Sequence, residues 1–412
     1  MLHALTRREL LLGSGVLFAW TQLPKLARAE GRDPRLLTIV LRGALDGLAA
    51  VAPVGDPNWT ALRGDRALKL DGAAPALKLD DFFALNPAMP NLHRMFKANE
   101  VIVVHAAATP YRERSHFDGQ DVLESGVVKP GAIHTGWLNR ALANLAGEGK
   151  VAPSSRVFAV GPVAPLVVRG PAPIMSWSPQ RLPPVSDNTM ARLLELYRHT
   201  DPELARVLEG GGNLAAIARI NGAAPPPNAP APAPGIAQVR AYFADAAGNA
   251  AKFLARADGP RVGALALDGW DTHANEGIAT GLLANLLGAL DAALAAVETN
   301  MGDAWRDTVV ALITEFGRTA RINGTDGTDH GTGTVALLAG GALKGGRVVA
   351  DWPGLKDADL YENRDLKATT DLRAVLKGLL KDHLRVDDAT LAGAIFPDSA
   401  DVKPMTGLVR AA

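Results

Sequence analysis

Cysteine is absent from all 412 residues. That excludes disulfide staples, thiolate metal sites and cysteine nucleophiles, and leaves packing, with bound metal as the one remaining cross-link, to hold the chain together. Net charge is also absent, 43 basic residues balancing 43 acidic ones, so no strong field favours nucleic acid or an anionic membrane. Beyond the N-terminal thirty residues no run reaches about 18 uninterrupted apolar positions, so a soluble mature protein without a stable membrane span is expected. Nucleotide signatures are missing as well. No P-loop pattern occurs, and the glycines at 340–346 lead into β-like residues rather than the helix a dinucleotide fingerprint requires.

The N-terminus has the form of an export signal. Arg7 and Arg8 precede an apolar run, Leu10 to Trp20, that is too short for a permanent span. Pro24, Lys25 and the small-x-small triplet Ala27-Arg28-Ala29 follow, so cleavage leaves Glu30 first. A twin-arginine signal peptide over 1–29, passage through the twin-arginine translocase and a periplasmic location are the expectation. The remaining residues, 30–412, suffice for one large α/β domain or two smaller ones, and a single domain is expected.

Apolar runs alternate with helical spacing along the mature chain. Leu36–Leu41, Val101–Val104, Val262–Leu267, Thr308–Ile313 and Thr334–Leu338 read as buried strands, and Arg156–Val160 and Leu166–Val168 as shorter β-like pieces. Helices are predicted over Asn91–Asn99, Ser115–Ser125, most of Asp187–Ile217, Ile236–Ala257 and Glu276–Thr299. The Pro/Ala-rich stretch 222–235 reads as a linker or surface loop. This alternation predicts an α/β fold with a mostly parallel central sheet and helices on both faces.

In such sheets reactive groups gather beyond the carboxyl ends of the strands. Four clusters meet that description: Arg42–Gly47, His105 with Arg112–Asp118, Asp268–His273, and Thr314–Thr319 with Gly327–Gly333. With thiolates excluded, Asp and neutral His are the strong ligands left, suited to zinc and, where carboxylates dominate, to manganese, magnesium or calcium. Asp271 and His273 stand two apart and point the same way in extended chain, while glycines around Asp329 and His330 permit a turn aiming both inward. With Asp46 they make a candidate two-metal cluster. Each also has an ordinary reading: Asp46-Gly47 as a turn pair, Asp329 as a turn carboxylate, Ser115 as an N-cap, His273 as a cap for the helix near Glu276. For His105, His116 and His134 packing or hydrogen bonding is the default.

Read together, Leu41–Leu48, Arg114–Asp121, Gly136–Arg140, Gly269–His273, Thr314–Thr319, Thr328–Gly333 and Gly345-Gly346 resemble the family known as domain of unknown function 1501. Its members often carry twin-arginine leaders and are grouped with alkaline phosphatase-like and sulfatase-like proteins. The resemblance implies an alkaline phosphatase-like fold and one or two divalent ions, zinc foremost. By matching position, Asp46, Asp329 and His330 would hold one ion and Asp271 and His273 the other. Ser115 would be the nucleophile, and Arg114 or Arg318 would bind the remaining oxygens of the transferred group. The implied activity is hydrolysis of phosphate or sulfate esters, the partner being a small anionic ester or a glycan. The alternative is a non-catalytic periplasmic binding or assembly protein with the same fold. This chain departs from the clan in two ways: the clan's further metal-binding His has only His383 as a counterpart, and the short Asp271–His273 step makes Asp268 a rival ligand.

Overall fold

A computed structural model describes residues 32–147, 157–160, 164–177, 235–257 and 259–410. The expected signal peptide over 1–29, the helical stretch 187–217 and the linker, save Gly235, lie outside the described residues. The described residues belong to one unit, Pro24–Trp177 with Gly235–Ala412.

One sheet holds β1 (Arg35–Arg42), β2 (Val101–Ala108), β3 (Val157–Val160), β4 (Ile174–Trp177), β5 (Val262–Asp268), β6 (Thr308–Ile313), β7 (Thr334–Ala339), β8 (Arg347–Val349) and β9 (Thr370–Asp371), the long apolar runs forming β1, β2, β5, β6 and β7. Their spatial order is β8-β2-β7-β6-β1-β5-β3-β4, with β9 beside β2. The pairings are parallel except those of β7, which runs antiparallel to both β2 and β6. The sheet is therefore mixed and mostly parallel. Leu166–Val168, expected as β-like, is instead a single 3₁₀ turn, because the flanking prolines and glycine leave no room for a ladder.

Side chains alternate across β1. Leu37, Ile39 and Leu41 enter one apolar cluster, which includes α4 (Ile236–Ala255) and α5 (Leu282–Met301). Leu36 and Val40 enter another, which includes α3 (Trp137–Gly147) and α6 (Leu372–Leu384). Helices thus cover both faces, as the period-2 pattern requires.

Helix α5 begins at Leu282 rather than Glu276, since Gly281 at φ +114° stands at its start. Together with the turn to Asp307 it is long and apolar enough to cross a membrane by length and composition, at mean hydropathy 1.5. In this fold its Leu283, Leu287, Leu290 and Leu294 are fully buried in the core shared with α4 and the sheet.

The antiparallel course of β7 positions the site. Val40 pairs with Ile313, Arg42 with Asp268, and Thr334 with Ala107. The carboxyl ends of β1, β2, β5 and β6 therefore lie on the same edge as the beginning of β7, and the Gly327–Gly333 loop enters from the opposite direction to the rest.

Candidate metal centre

Beyond β2 the chain turns at Arg114, which has φ +62°, and starts helix α2 (His116–Ser125) with Ser115 as N-cap. Backbone strain of this kind persists where surrounding contacts hold it. Here the Arg114 carbonyl accepts a hydrogen bond from His330 Nδ1 at 2.9 Å. Residues 317–319 pair antiparallel with 329–332, through Gly331 N to Gly317 O at 2.8 Å and Thr319 N to Asp329 O at 2.8 Å, which sets Arg318 opposite His330. A Cβ on Gly331 would lie 2.4 Å from the Arg318 carbonyl carbon, so only glycine allows this approach.

Three imidazoles and a carboxylate converge. His330 Nε2 lies 2.9 Å from His116 Nε2, 2.9 Å from His273 Nε2 and 3.1 Å from Asp271 Oδ1. Asp271 Oδ1 is also 3.5 Å from His116 Nε2 and 3.0 Å from His273 Nε2. Donor atoms of His116, Asp271 and His330 all lie within 4.8 Å of one another, and His273 adjoins two of the three.

The far nitrogen of every ring faces an oxygen. His116 Nδ1 donates to Glu315 Oε1 at 2.8 Å, His330 Nδ1 to the Arg114 carbonyl, and His273 Nδ1 lies 3.4 Å from Asp329 Oδ1. A neutral ring protonated at Nδ1 turns the Nε2 lone pair inward, so the facing Nε2 atoms need a cation or proton between them. The hydrogen bond to Glu315 raises the pKa of His116. Burial, with His116 beside it, lowers that of His330. Burial opposes charge on Asp271, yet the Arg318 guanidinium, 2.5 Å from Oδ1, holds its pKa below the ordinary value.

Of the ligands expected from sequence, Asp271, His273 and His330 meet at one centre instead of dividing between two. Asp329 stands behind His273, its Oδ1 also accepting from Asn323 Nδ2 at 3.1 Å. Asp46 is engaged elsewhere. It caps the short helix Gly47–Ala50 and forms a fully buried pair with Arg63, at 2.6 Å to Oδ2 and 3.0 Å to Oδ1. His383 is buried, donating to the Arg35 carbonyl at the amino end of β1, the edge opposite the site. The two arginines are held by carboxylates, Arg114 by Asp365 and Glu362, Arg318 by Asp271. Ser115 makes no side-chain cap bond, and its backbone N–H donates to the Tyr111 hydroxyl at 3.2 Å.

Sequence reasoning left His116 to packing by default and did not single out Glu315. One signal was available: His116 and Gln120 are four apart on a helix, hence on one face, and both bond Glu315.

A family profile described as "Protein of unknown function (DUF1501)" matches residues 33–395. The chain belongs to this family. A comparison with curated proteins yields no match. Among solved structures the chain is similar to Ps i-CgsB in complex with k-i-k-neocarrahexaose, at 9% identity and a TM-score of 0.38, covering 90% of this chain and 74% of that one. It is also similar to a protein in the alkaline phosphatase superfamily from Vibrio parahaemolyticus, at 12% identity and a TM-score of 0.36, over 81% and 66% of the two chains. A third is the phosphonate monoester hydrolase of Agrobacterium radiobacter, at 14% identity and a TM-score of 0.30, over 77% and 70%.

Proposed function

We propose that this chain is an exported, periplasmic metal-dependent hydrolase of small anionic esters, phosphate or sulfate, with Ser115 as nucleophile. The carrying observation is the inward convergence of three imidazole Nε2 atoms and Asp271 Oδ1, each imidazole with its Nδ1 turned to an oxygen acceptor. A nitrogen-rich set with one carboxylate suits zinc better than magnesium or calcium, which prefer all-oxygen shells. His116, Asp271 and His330 would hold the ion, with His273 beside them. A divalent ion there supplies Lewis acidity to a bound ester.

The chain's own residues support the rest of the reading. Ser115 immediately precedes one ligand and follows Arg114, whose carbonyl fixes another, and its hydroxyl is not spent on capping the helix. Asp271, at 41% side-chain exposure, opens the centre to solvent, while Arg318 behind it is fully buried and fixes the carboxylate. One observation favours the second reading, binding without catalysis: Arg114 and Arg318 already pair with carboxylates, which leaves the binding of a transferred anion to the metal and backbone.

Elemental analysis of the mature protein, with His330→Ala and Ser115→Ala variants and a panel of phosphate and sulfate esters, tests this. Expected are a bound divalent ion in the wild type, its loss in His330→Ala, and retained metal with at least ~100-fold slower hydrolysis in Ser115→Ala. Wild-type protein that takes up no metal would refute the reading. Metal without turnover of any ester would establish the binding alternative.

A further inference from the structure

We propose that Glu315 is a positioning residue that makes His116 a metal ligand, by locking its ring orientation and tautomer from beneath. The inference rests on the metal centre proposed above. Glu315 lies just past the end of β6 and is fully buried, so it touches neither solvent nor any ester in the open centre.

Its carboxylate collects donors from three separate segments. Oε1 accepts from His116 Nδ1 at 2.8 Å, from the Gly43 N–H after β1 at 2.8 Å, and from Gln120 Nε2 at 3.2 Å. Oε2 accepts from the Thr314 hydroxyl at 3.0 Å. A carboxyl group accepting from four donors cannot rotate without abandoning several of them.

The neighbouring residue completes the clamp. The Phe316 ring stacks on His116 with centroids 5.0 Å apart and 27° between planes. Its edge lies 2.9 Å from where a Cβ on Gly119 would stand, so the helix rests directly on it. His116 is thus held at its edge by Glu315 and across its face by Phe316, leaving Nε2 pointing at Asp271 and His330. Carboxylate partners of this kind also raise the basicity of the ligating nitrogen.

Glu315→Gln preserves size and an acceptor oxygen while removing the charge. The measurement is zinc affinity by competition with a chromophoric chelator, in wild type, Glu315→Gln, His116→Ala and the double variant, together with the visible spectrum of the cobalt-substituted proteins. Expected is a loss of roughly 10- to 100-fold in Glu315→Gln, an altered cobalt spectrum, and no additional loss when the substitution is made in the His116→Ala background. Equal affinity in wild type and Glu315→Gln would overturn the proposal. So would an equal loss in both backgrounds, which marks general support of the fold.

Nitrogen NMR of unaltered zinc-loaded protein keeps the test independent of variant folding. It should show His116 protonated at Nδ1, and protonation at Nε2 would overturn the proposal. Wild type that binds no zinc removes both this inference and its parent. Wild type that binds zinc with Glu315→Gln unchanged removes this inference alone.

Discussion

Gly43 adopts φ +117°, and a Cβ placed on it would sit 2.5 Å from the Asp271 amide nitrogen. Its own N–H donates to Glu315, so the turn after β1 underlies two parts of the candidate metal centre at once. Gly43→Ala is expected to lose at least about 2 kcal/mol in chemical denaturation, because both the backbone conformation and the contact are forbidden to a side chain. Zinc affinity should fall with it, since the displaced backbone is that of Asp271, a proposed ligand. At this scale the sequence was legible where a residue type and its neighbours sufficed: Asp271, His273 and His330 come together. Asp46 was not legible, because its fate depends on Arg63, a partner 17 positions away that no local pattern announces. His116 was left to packing by default for a related reason, as a helix-initiating histidine joins the cluster only when a distant loop brings His330 to it.

Strands β1, β2, β5, β6 and β7 were readable because a strand covered on both faces has to be a continuous apolar run. Their directions were not. An apolar run reads alike either way, so the antiparallel setting of β7 appears only in the pairings Thr334–Ala107 and Leu337–Leu312. The start of α5 was misplaced because the expected helix ran through the breakers Gly277 and Gly281, both of which adopt positive φ before Leu282. The element's contribution can be measured. Leu290, fully buried on α5, should destabilise the protein by about 2–5 kcal/mol when replaced by Ala. Zinc affinity of the folded fraction should stay unchanged, since Leu290 lies in the core beneath the helix layer.

Over the whole molecule, two buried histidines outside the centre set an acid limit on stability. Burial lowers His105 and His383 from the ordinary 6.5 to about 4. Each is neutral in the folded state, His105 Nε2 donating to the Val51 carbonyl and His383 Nε2 to the Arg35 carbonyl. A depressed folded value means the unfolded chain binds the extra proton first as acid is added. Their stabilising effect is therefore whole above pH 6.5 and lost progressively down to about pH 4, on the order of 3 kcal/mol for each histidine. Melting temperatures of the chelator-treated protein should fall across that window, and His383→Gln should flatten the decline. An unchanged slope in that variant would show that His383 does not titrate there.

The reversed strand β7 has a bearing on how the protein comes to be finished. His116 and His330 are 214 positions apart, and the loop bearing the latter reaches its neighbours only once β7 has slotted between β2 and β6. Pairings between segments so remote in the chain form late, after the entropy of closing the intervening loop has been overcome. A cation arriving earlier meets an incomplete ring of donors. Tight capture of metal at the proposed centre would thus be a certificate of maturity, issued only to chains whose last central strand is home.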